Sequence, residues 1–327
     1  MDTVGLGNAL TDVLLRPESD RVLAEIRIRK GAMEMIGEEQ MGDIRKSLER
    51  LEKKLSPGGS ACNTIRAMAR LGAKTGFIGK IGSDDAGLYY ENEVIKAGVV
   101  PHFIKTEGIS GSCTVLISPD GERTMATFLG PAATITPDEI REDMLKGYQY
   151  IYVEGYLIVN EPLVYATMQK AKQAGLKIAL DLSNFNIVNA FKDLLSDIIP
   201  RYVDILFSNE SEAEAFTGQK AEEAVRTLST MADIAVVTLG KNGALIAQNG
   251  TVVKVDAEGG KPVDTTGAGD HFAAGFLFGQ TQKAGLEQCG RIGSLLAGYV
   301  IDTVGPEILR VHWEEIKLRV NDLLYNK

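Results

Sequence analysis

The sequence predicts an α/β fold, with a mostly parallel central sheet covered by helices on both faces and a small β-sheet attached. Three observations predict it. Short, often β-branched apolar runs alternate with longer amphipathic runs. Glycines stand just after several of the amphipathic runs. Two charged, β-rich segments fit neither pattern.

Strands are expected over Thr75–Ile81, Tyr150–Glu154, Lys177–Asp181, Asp204–Ser208 and Ile234–Leu239. Helices are expected over Ala61–Leu71, Leu88–Ala97, Glu161–Ala174 and Glu222–Met231. Gly72, Gly98 and Gly175 follow three of them, where a helix end favours a residue free to take positive φ. Nearly continuous apolar strands separated by helices indicate a parallel sheet buried on both faces. Lys241-Asn242-Gly243 reads as a tight hairpin turn between Ala235–Leu239 and Ala244–Ala247, and the chain from Asp270 onward reads as mostly helical. The exceptional segments, 12–36 and 103–130, look like short strands. Within the second, Cys113–Ser118 and Arg123–Phe128 flank the turn Pro119-Asp120-Gly121-Glu122. The two segments are expected to form a small sheet that lids one end of the large domain, which comprises 1–11, 37–102 and 131–327. Ligands of open α/β folds sit at that end.

The chain has 327 residues, of which 44% are hydrophobic, enough for one large domain with a small appendage. A net charge of −9 argues against general nucleic-acid binding, which needs Lys and Arg stripes. Cys62, Cys113 and Cys289 are widely spaced and form neither a disulfide framework nor a zinc pattern. The N-terminus lacks the basic and apolar regions of a secretion signal, and no apolar run is long enough to span a bilayer. The expectation is a cytoplasmic protein, monomer or homodimer, acting on small molecules.

The most informative stretch is Asp264-Thr265-Thr266-Gly267-Ala268-Gly269-Asp270, followed by an apolar helical run. Residues 267–269 lack bulk, so their backbone N–H groups can approach a ligand closely. At a helix N-terminus such groups favour phosphate oxygens. Asp270, in the first turn, could take a proton from a hydroxyl attacking a phosphoryl group. Taken alone, the pattern is equally a small-residue helix start with an acid facing the dipole.

The whole heptad resembles the signature of the ribokinase-like (PfkB) carbohydrate kinases, a family that includes adenosine kinases. A second motif of that family, Gly58-Gly59 with Asn63, stands in the expected order near the N-terminus, so the resemblance spans nearly the full chain. It implies a three-layer α/β/α domain with a β lid, ATP as phosphate donor and a magnesium ion. It further implies Asp270 as catalytic base and Gly267, Ala268 and Gly269 as the anion hole.

For the acceptor end, the resemblance points to Gly58, Gly59 and Asn63, although a glycine turn capped by Ser60 would also explain that stretch. Gly7-Asn8-Ala9-Leu10-Thr11-Asp12 fits the family pattern after the first strand, with Asn8 and Asp12 as candidates. A carboxylate such as Asp12 can accept from two vicinal hydroxyls. For the nucleotide end, Asn209 and Glu212 match a family Asn-x-x-Glu associated with magnesium and its waters; the same spacing makes a helix capping box. Thr238, Gly240 and Thr265 are candidates beside ATP, and Arg123, on the expected lid hairpin, is a candidate phosphate clamp. Asp264 and the carbonyl of Thr266, with Gly305 nearby, match positions that bind a monovalent cation such as potassium in many members.

Gly7-Asn8-Ala9-Leu10-Thr11-Asp12, Gly58-Gly59-Ser60 with Asn63, Gly111-Ser112-Cys113, and Gly155-Tyr156-Leu157 followed later by Asp181-Leu182-Ser183 resemble the adenosine kinase branch, with Tyr156 as a ring that could stack on a purine. Asn184-Phe185-Asn186 departs from that branch, so a ribokinase- or fructokinase-type sugar kinase is the alternative. A catalytically silent sugar- or nucleoside-binding protein is a second one, disfavoured by the intact Asp270 motif. A dinucleotide-binding enzyme is disfavoured because Leu10 stands where Gly5-Leu6-Gly7 would need its third glycine.

Overall fold

The computed structural model describes residues 1–259 and 262–325. Its centre is a nine-stranded sheet built from β1 (Thr3–Leu6), β5 (Thr75–Gly82), β6 (Val100–Thr106), β9 (Tyr150–Glu154), β10 (Lys177–Asp181), β11 (Ile205–Asn209), β12 (Ile234–Thr238), β13 (Ala244–Gln248) and β14 (Thr251–Val255). The order is β14-β13-β12-β11-β10-β9-β1-β5-β6, parallel except for the two last strands at the β14 edge. Successive side chains alternate between faces. Tyr150 and Tyr152 enter one apolar core, while Ile151 and Val153 enter the other.

The first core is closed by α3 (Ser60–Leu71), α4 (Asp85–Lys96), α10 (Ala268–Thr281), α11 (Leu286–Val300) and α12 (Trp313–Tyr325). The second is closed by α5 (Glu161–Gln173), α6 (Phe185–Ala190), α7 (Lys192–Tyr202), α8 (Glu210–Thr217) and α9 (Ala221–Leu228). This is the expected three-layer α/β/α arrangement. From β1 the chain steps outward to β5 and β6, then returns to β9 on the other side of β1. The crevice between β1 and β9 is therefore the switch point at which open α/β sheets bind ligands. Among the described residues no helix is long and apolar enough to cross a membrane.

A second sheet holds β2 (Leu10–Leu15), β3 (Met33–Met35), β4 (Lys53–Gly58), β7 (Ser112–Ile117) and β8 (Arg123–Phe128), in the order β3-β8-β7-β2-β4. The β7–β8 hairpin closes through Ser118 and Gly121 at φ 87°. One face of this sheet packs Leu15, Leu116 and Ala126 against α1 (Arg21–Ile26) and α2 (Glu38–Ser47). The other carries Leu14, Cys113 and Val115, with Met125 and Val304 against them.

The expected boundaries differ from this sheet in three places. Val100–Thr106 belongs to the large sheet and Lys53–Gly58 to the small one. Both strands contain a proline, Pro101 and Pro57, and both lie at sheet edges, where the missing N–H goes unneeded. Residues 21–26, expected as extended, are helical, ending at Arg27 in the left-handed region at φ 57°.

Candidate active site

The C-terminal ends of β1, β9, β10 and β11 and the N-termini of α3 and α10 meet beneath the small sheet. Asp270 stands in the first turn of α10, behind Gly267 in the left-handed region at φ 76°. One carboxylate oxygen accepts from Ser60 Oγ at 2.7 Å and the other from Asn63 Nδ2 at 2.9 Å. Thr64 Oγ1 donates to the Asp270 carbonyl at 3.1 Å, so one face of α3 holds the residue at both ends. Burial pushes the Asp270 carboxyl up to about 6; the Ser60 and Asn63 donors pull it down, and the Asp181 charge adds to the rise. A carboxylate in this state can take a proton near neutral pH.

The helix start is less uniform than expected. The Ala268 N–H is committed to the Thr265 carbonyl at 3.2 Å, which removes Ala268 from the expected anion hole. The amides of Gly267 and Gly269 donate to no group among the described residues, and Gly269 is exposed. The turn from Thr265 to Gly267 therefore leaves two glycine amides open and folds the alanine amide inward.

Asp12 projects from β2 on the face that carries Leu14, toward Asp270. Burial lifts its carboxyl to about 7, against the lowering influence of Arg123 and with a further rise from Asp270. Among the described residues it accepts no hydrogen bond, so both oxygens remain available to a ligand. The glycine pair explains how it fits. A Cβ on Gly58 would overlap the Asp12 carboxylate, and one on Gly59, at φ 90°, would overlap the Asn8 carbonyl.

Arg123 reaches across from β8 to the loop before α10. Its two terminal nitrogens bond Thr266 Oγ1 and pair with the Asp264 carboxylate. The same carboxylate accepts the Thr266 N–H at 3.0 Å and the Gly305 N–H at 2.7 Å. Asp264 is thus balanced by a guanidinium and two amides. The Asp264 carboxylate is engaged within the protein, whereas the expected cation position at the Thr266 carbonyl is touched by none of these contacts.

Other expected residues fall into place differently. Asn8 is buried, and both its N–H and its amide donate to Glu154 Oε1, at 2.8 and 2.7 Å, so its amide faces the protein rather than an acceptor. Asn63 spends its amide nitrogen on Asp270. Asn209 caps α8: its side chain accepts from the Glu212 N–H at 2.9 Å, while Glu212 takes the Asn209 N–H and Nδ2 on separate oxygens, at 2.9 and 2.7 Å. Tyr156 lies among carboxylates. Burial, then the charges of Glu154, Asp270, Asp181 and Glu212, push its hydroxyl far above the ordinary value. Thr238 pairs in register with Asn209 at the same sheet end, and Gly240 follows at φ 53°; Thr265 is exposed.

Four participants escaped the sequence reading. Ser60 reads as a cap, yet Gly59 is the cap and Ser60 points to Asp270. Thr64 reads as one more residue of the amphipathic helix. Glu154 and Asp181 each end an apolar strand with a lone carboxylate, and that was the available signal. Glu154 is buried, accepts from Asn8 and from the Ala61 N–H at 3.0 Å, and is raised to about 7 by burial. It ties β1, β9 and α3 together at the switch point. Asp181 accepts from Tyr152 Oη at 3.0 Å and from the Ser183 N–H at 2.7 Å, and burial raises it. Burial and then the Asp181 charge push Glu212 up to about 8. Such a crowded acidic pair suits a cation shared through water.

Residues 45–311 match the pfkB family carbohydrate kinases. The chain is 31% identical to an adenosine kinase of Saccharomyces cerevisiae over 327 residues, covering 93% of this chain and 95% of that one. The structure of an adenosine kinase from Sinorhizobium meliloti superposes with a TM-score of 0.87 at 30% identity, covering 97% of this chain and 99% of that one. A probable sugar kinase from Rhizobium etli superposes with a TM-score of 0.87 at 31% identity, covering 97% and 98%. With its three-layer fold, its lid and its Asp270 helix start, the chain belongs to the pfkB family of carbohydrate kinases.

Proposed function

We propose that the chain transfers the terminal phosphoryl group of ATP to a hydroxyl of a nucleoside resembling adenosine. The observation that carries this reading is Asp270, held by Ser60 and Asn63 beside two open glycine amides and facing the unpartnered carboxylate of Asp12. In this reading Asp12 accepts from vicinal sugar hydroxyls and fixes the acceptor. Asp270 takes the proton of the attacking hydroxyl. The Gly267 and Gly269 amides face the charge that develops on the migrating group, and Arg123 exchanges Thr266 for a phosphate oxygen while its other terminal nitrogen keeps the pair with Asp264. Glu212 and Asp181, with Asn209 steadying Glu212, would hold through water a magnesium ion, which neutralises phosphate charge when bound. Thr238, Gly240 and Thr265 flank the nucleotide. Asn8 acts through Glu154, as a positioning residue.

The preference for a nucleoside over a bare sugar rests on the lid. The face that carries Asp12 presents Leu14, Cys113, Val115 and Met125, an apolar wall suited to a base. The similarity to adenosine kinases points the same way. The small sheet then closes over both substrates and excludes water from the transfer.

The test is ATP consumption against adenosine, inosine, ribose and fructose, with wild type and Asp270→Asn side by side. Expected is strongest turnover with adenosine and a loss on the order of 100 to 10,000-fold in the variant, with binding retained. Near-normal turnover of Asp270→Asn would place the base elsewhere.

A further inference from the structure

Between α3 and the segment Pro306–Trp313 lies a cavity of about 90 Å³, on which Arg66, Arg70 and Arg310 converge. Arg66 is committed, donating to the Pro57 carbonyl at 2.9 Å and pairing with Glu307. The side chains of Arg70 and Arg310 make no hydrogen bond or ion pair among the described residues. Their charges crowd: burial and then the charges of Arg310 and Arg66 hold Arg70 below its ordinary pKa. The carboxylates at the cavity are already engaged, Glu307 with Arg66 and Glu93 with Lys96 at 2.6 Å. Glu307 and Glu93 offset only part of this charge, so the cavity presents a net positive face that favours an anion.

Two further atoms define that anion. Arg66 Nε, a donor, and Asn63 Oδ1, an acceptor, are buried without a partner, and both residues line the cavity. We propose that this cavity is a second anion site that takes a phosphate group, separate from the helix start at 267–270. Guanidinium forks match phosphate oxygens. Hydrogen phosphate also brings a P–OH donor for Asn63 Oδ1, which sulfate lacks at neutral pH. The cavity admits the phosphate group alone. An adjoining cleft of about 470 Å³, sharing Arg70, Arg310 and Trp313 and adding Lys96 and Lys317, accommodates the organic part of a small phosphate ester. The site touches the catalytic region through Asn63, whose Nδ2 holds Asp270, and through Pro306, which packs on Gly267. A partner on Asn63 Oδ1 fixes the amide in the orientation that donates to Asp270.

Trp313 is the single tryptophan of the chain, is buried, and lines both spaces, so its fluorescence reports on this site. The experiment titrates the full chain with inorganic phosphate, glycerol phosphate, sulfate and chloride at matched ionic strength. Expected is a saturable change in emission with phosphate, at least tenfold weaker binding of sulfate, and at least tenfold weaker phosphate binding in Arg70→Gln and in Arg310→Gln. The tighter of inorganic phosphate and glycerol phosphate identifies the source of the group. Equal response to sulfate, or a phosphate response that both variants keep, would overturn the proposal. The phosphate-over-sulfate preference of wild type tests it without any variant, and none of these readouts depends on kinase turnover.

Discussion

Arg123 on the lid and Asp264 before α10, 141 residues apart in sequence, form an ion pair that joins the two sheets of the molecule. The pair neutralises the carboxylate that a monovalent cation would otherwise balance. Wild-type turnover is therefore expected to be the same in potassium as in tetramethylammonium at equal ionic strength. Arg123→Ala is expected to lose on the order of 100-fold or more in kcat, since a guanidinium on a transferring phosphate is worth at least that. It is also expected to gain stimulation by potassium, because Asp264 then lacks its counter-charge. Steady-state kinetics in the two salts decide the matter, and several-fold stimulation of wild type by potassium would contradict the neutralised carboxylate.

The acid limb of the rate profile follows from two carboxylates. Asp270, raised to about 6, must be ionised to take a proton, and Asp12, raised to about 7, must be ionised to accept from hydroxyls. Activity should fall as pH drops through about 7, and fall more steeply, with two protons involved, below about 6. Asp12→Asn is expected to reduce the slope to one proton while raising the acceptor KM. Asn63→Ala removes a donor that lowers the Asp270 pKa, so its limb should move to higher pH. A profile of kcat/KM that stays flat from pH 5 to 8 would exclude both assignments.

Most of the sheet was legible because apolar strands of five to eight residues separated by amphipathic helices leave few alternatives; Tyr150–Glu154 and Lys177–Asp181 match to the residue. Pro57 and Pro101 lie in edge strands, and which sheet an edge strand joins is a tertiary property that the local sequence does not state. At the site, the glycines and Asp270 were legible as a local helix start. Which donors hold Asp270 was not, since Ser60 and Asn63 reach it across more than two hundred residues. Glu154 and Asn8 satisfy each other across 146 residues, and no local pattern announces such a pair.

Stability should also respond to pH, in an unusual direction. The folded pKa values of Glu154 (about 7), Asp12 (about 7), Asp270 (about 6) and Glu212 (about 8) all lie above the ordinary carboxylate range. These carboxylates therefore bind more protons in the folded state than in the unfolded chain between about pH 4 and 8, whereas His271, lowered to about 4 by burial, acts oppositely below about pH 6.5. The four carboxylates outweigh it, and stability declines as pH rises from about 6 to 8. Calorimetry without ligands should give a higher Tm at pH 6 than at pH 8. Millimolar magnesium should recover part of the loss at pH 8 by offsetting the Asp181–Glu212 repulsion. A Tm that rises between pH 6 and 8 would mean that these carboxylates are not raised.

The glycine pair before α3 separates fold from function within two residues. Gly58 does not have a positive φ, and the three atoms nearest to a methyl group there all belong to the Asp12 carboxylate, which can swing aside. Gly58→Ala should leave the urea midpoint nearly unchanged while raising the acceptor KM on the order of tenfold, because Asp12 loses the position from which it meets the hydroxyls. Gly59 differs in both respects. Its φ of 90° strains any other residue, and the obstacle is the Asn8 backbone carbonyl, which cannot turn away. Gly59→Ala should destabilise the protein by about 1–3 kcal/mol, seen as a lower urea midpoint at unchanged m-value. If both variants lost stability equally, with no separate effect of Gly58→Ala on KM, the pair would be scaffold only, and Asp12 would need another explanation for its unpaired carboxylate.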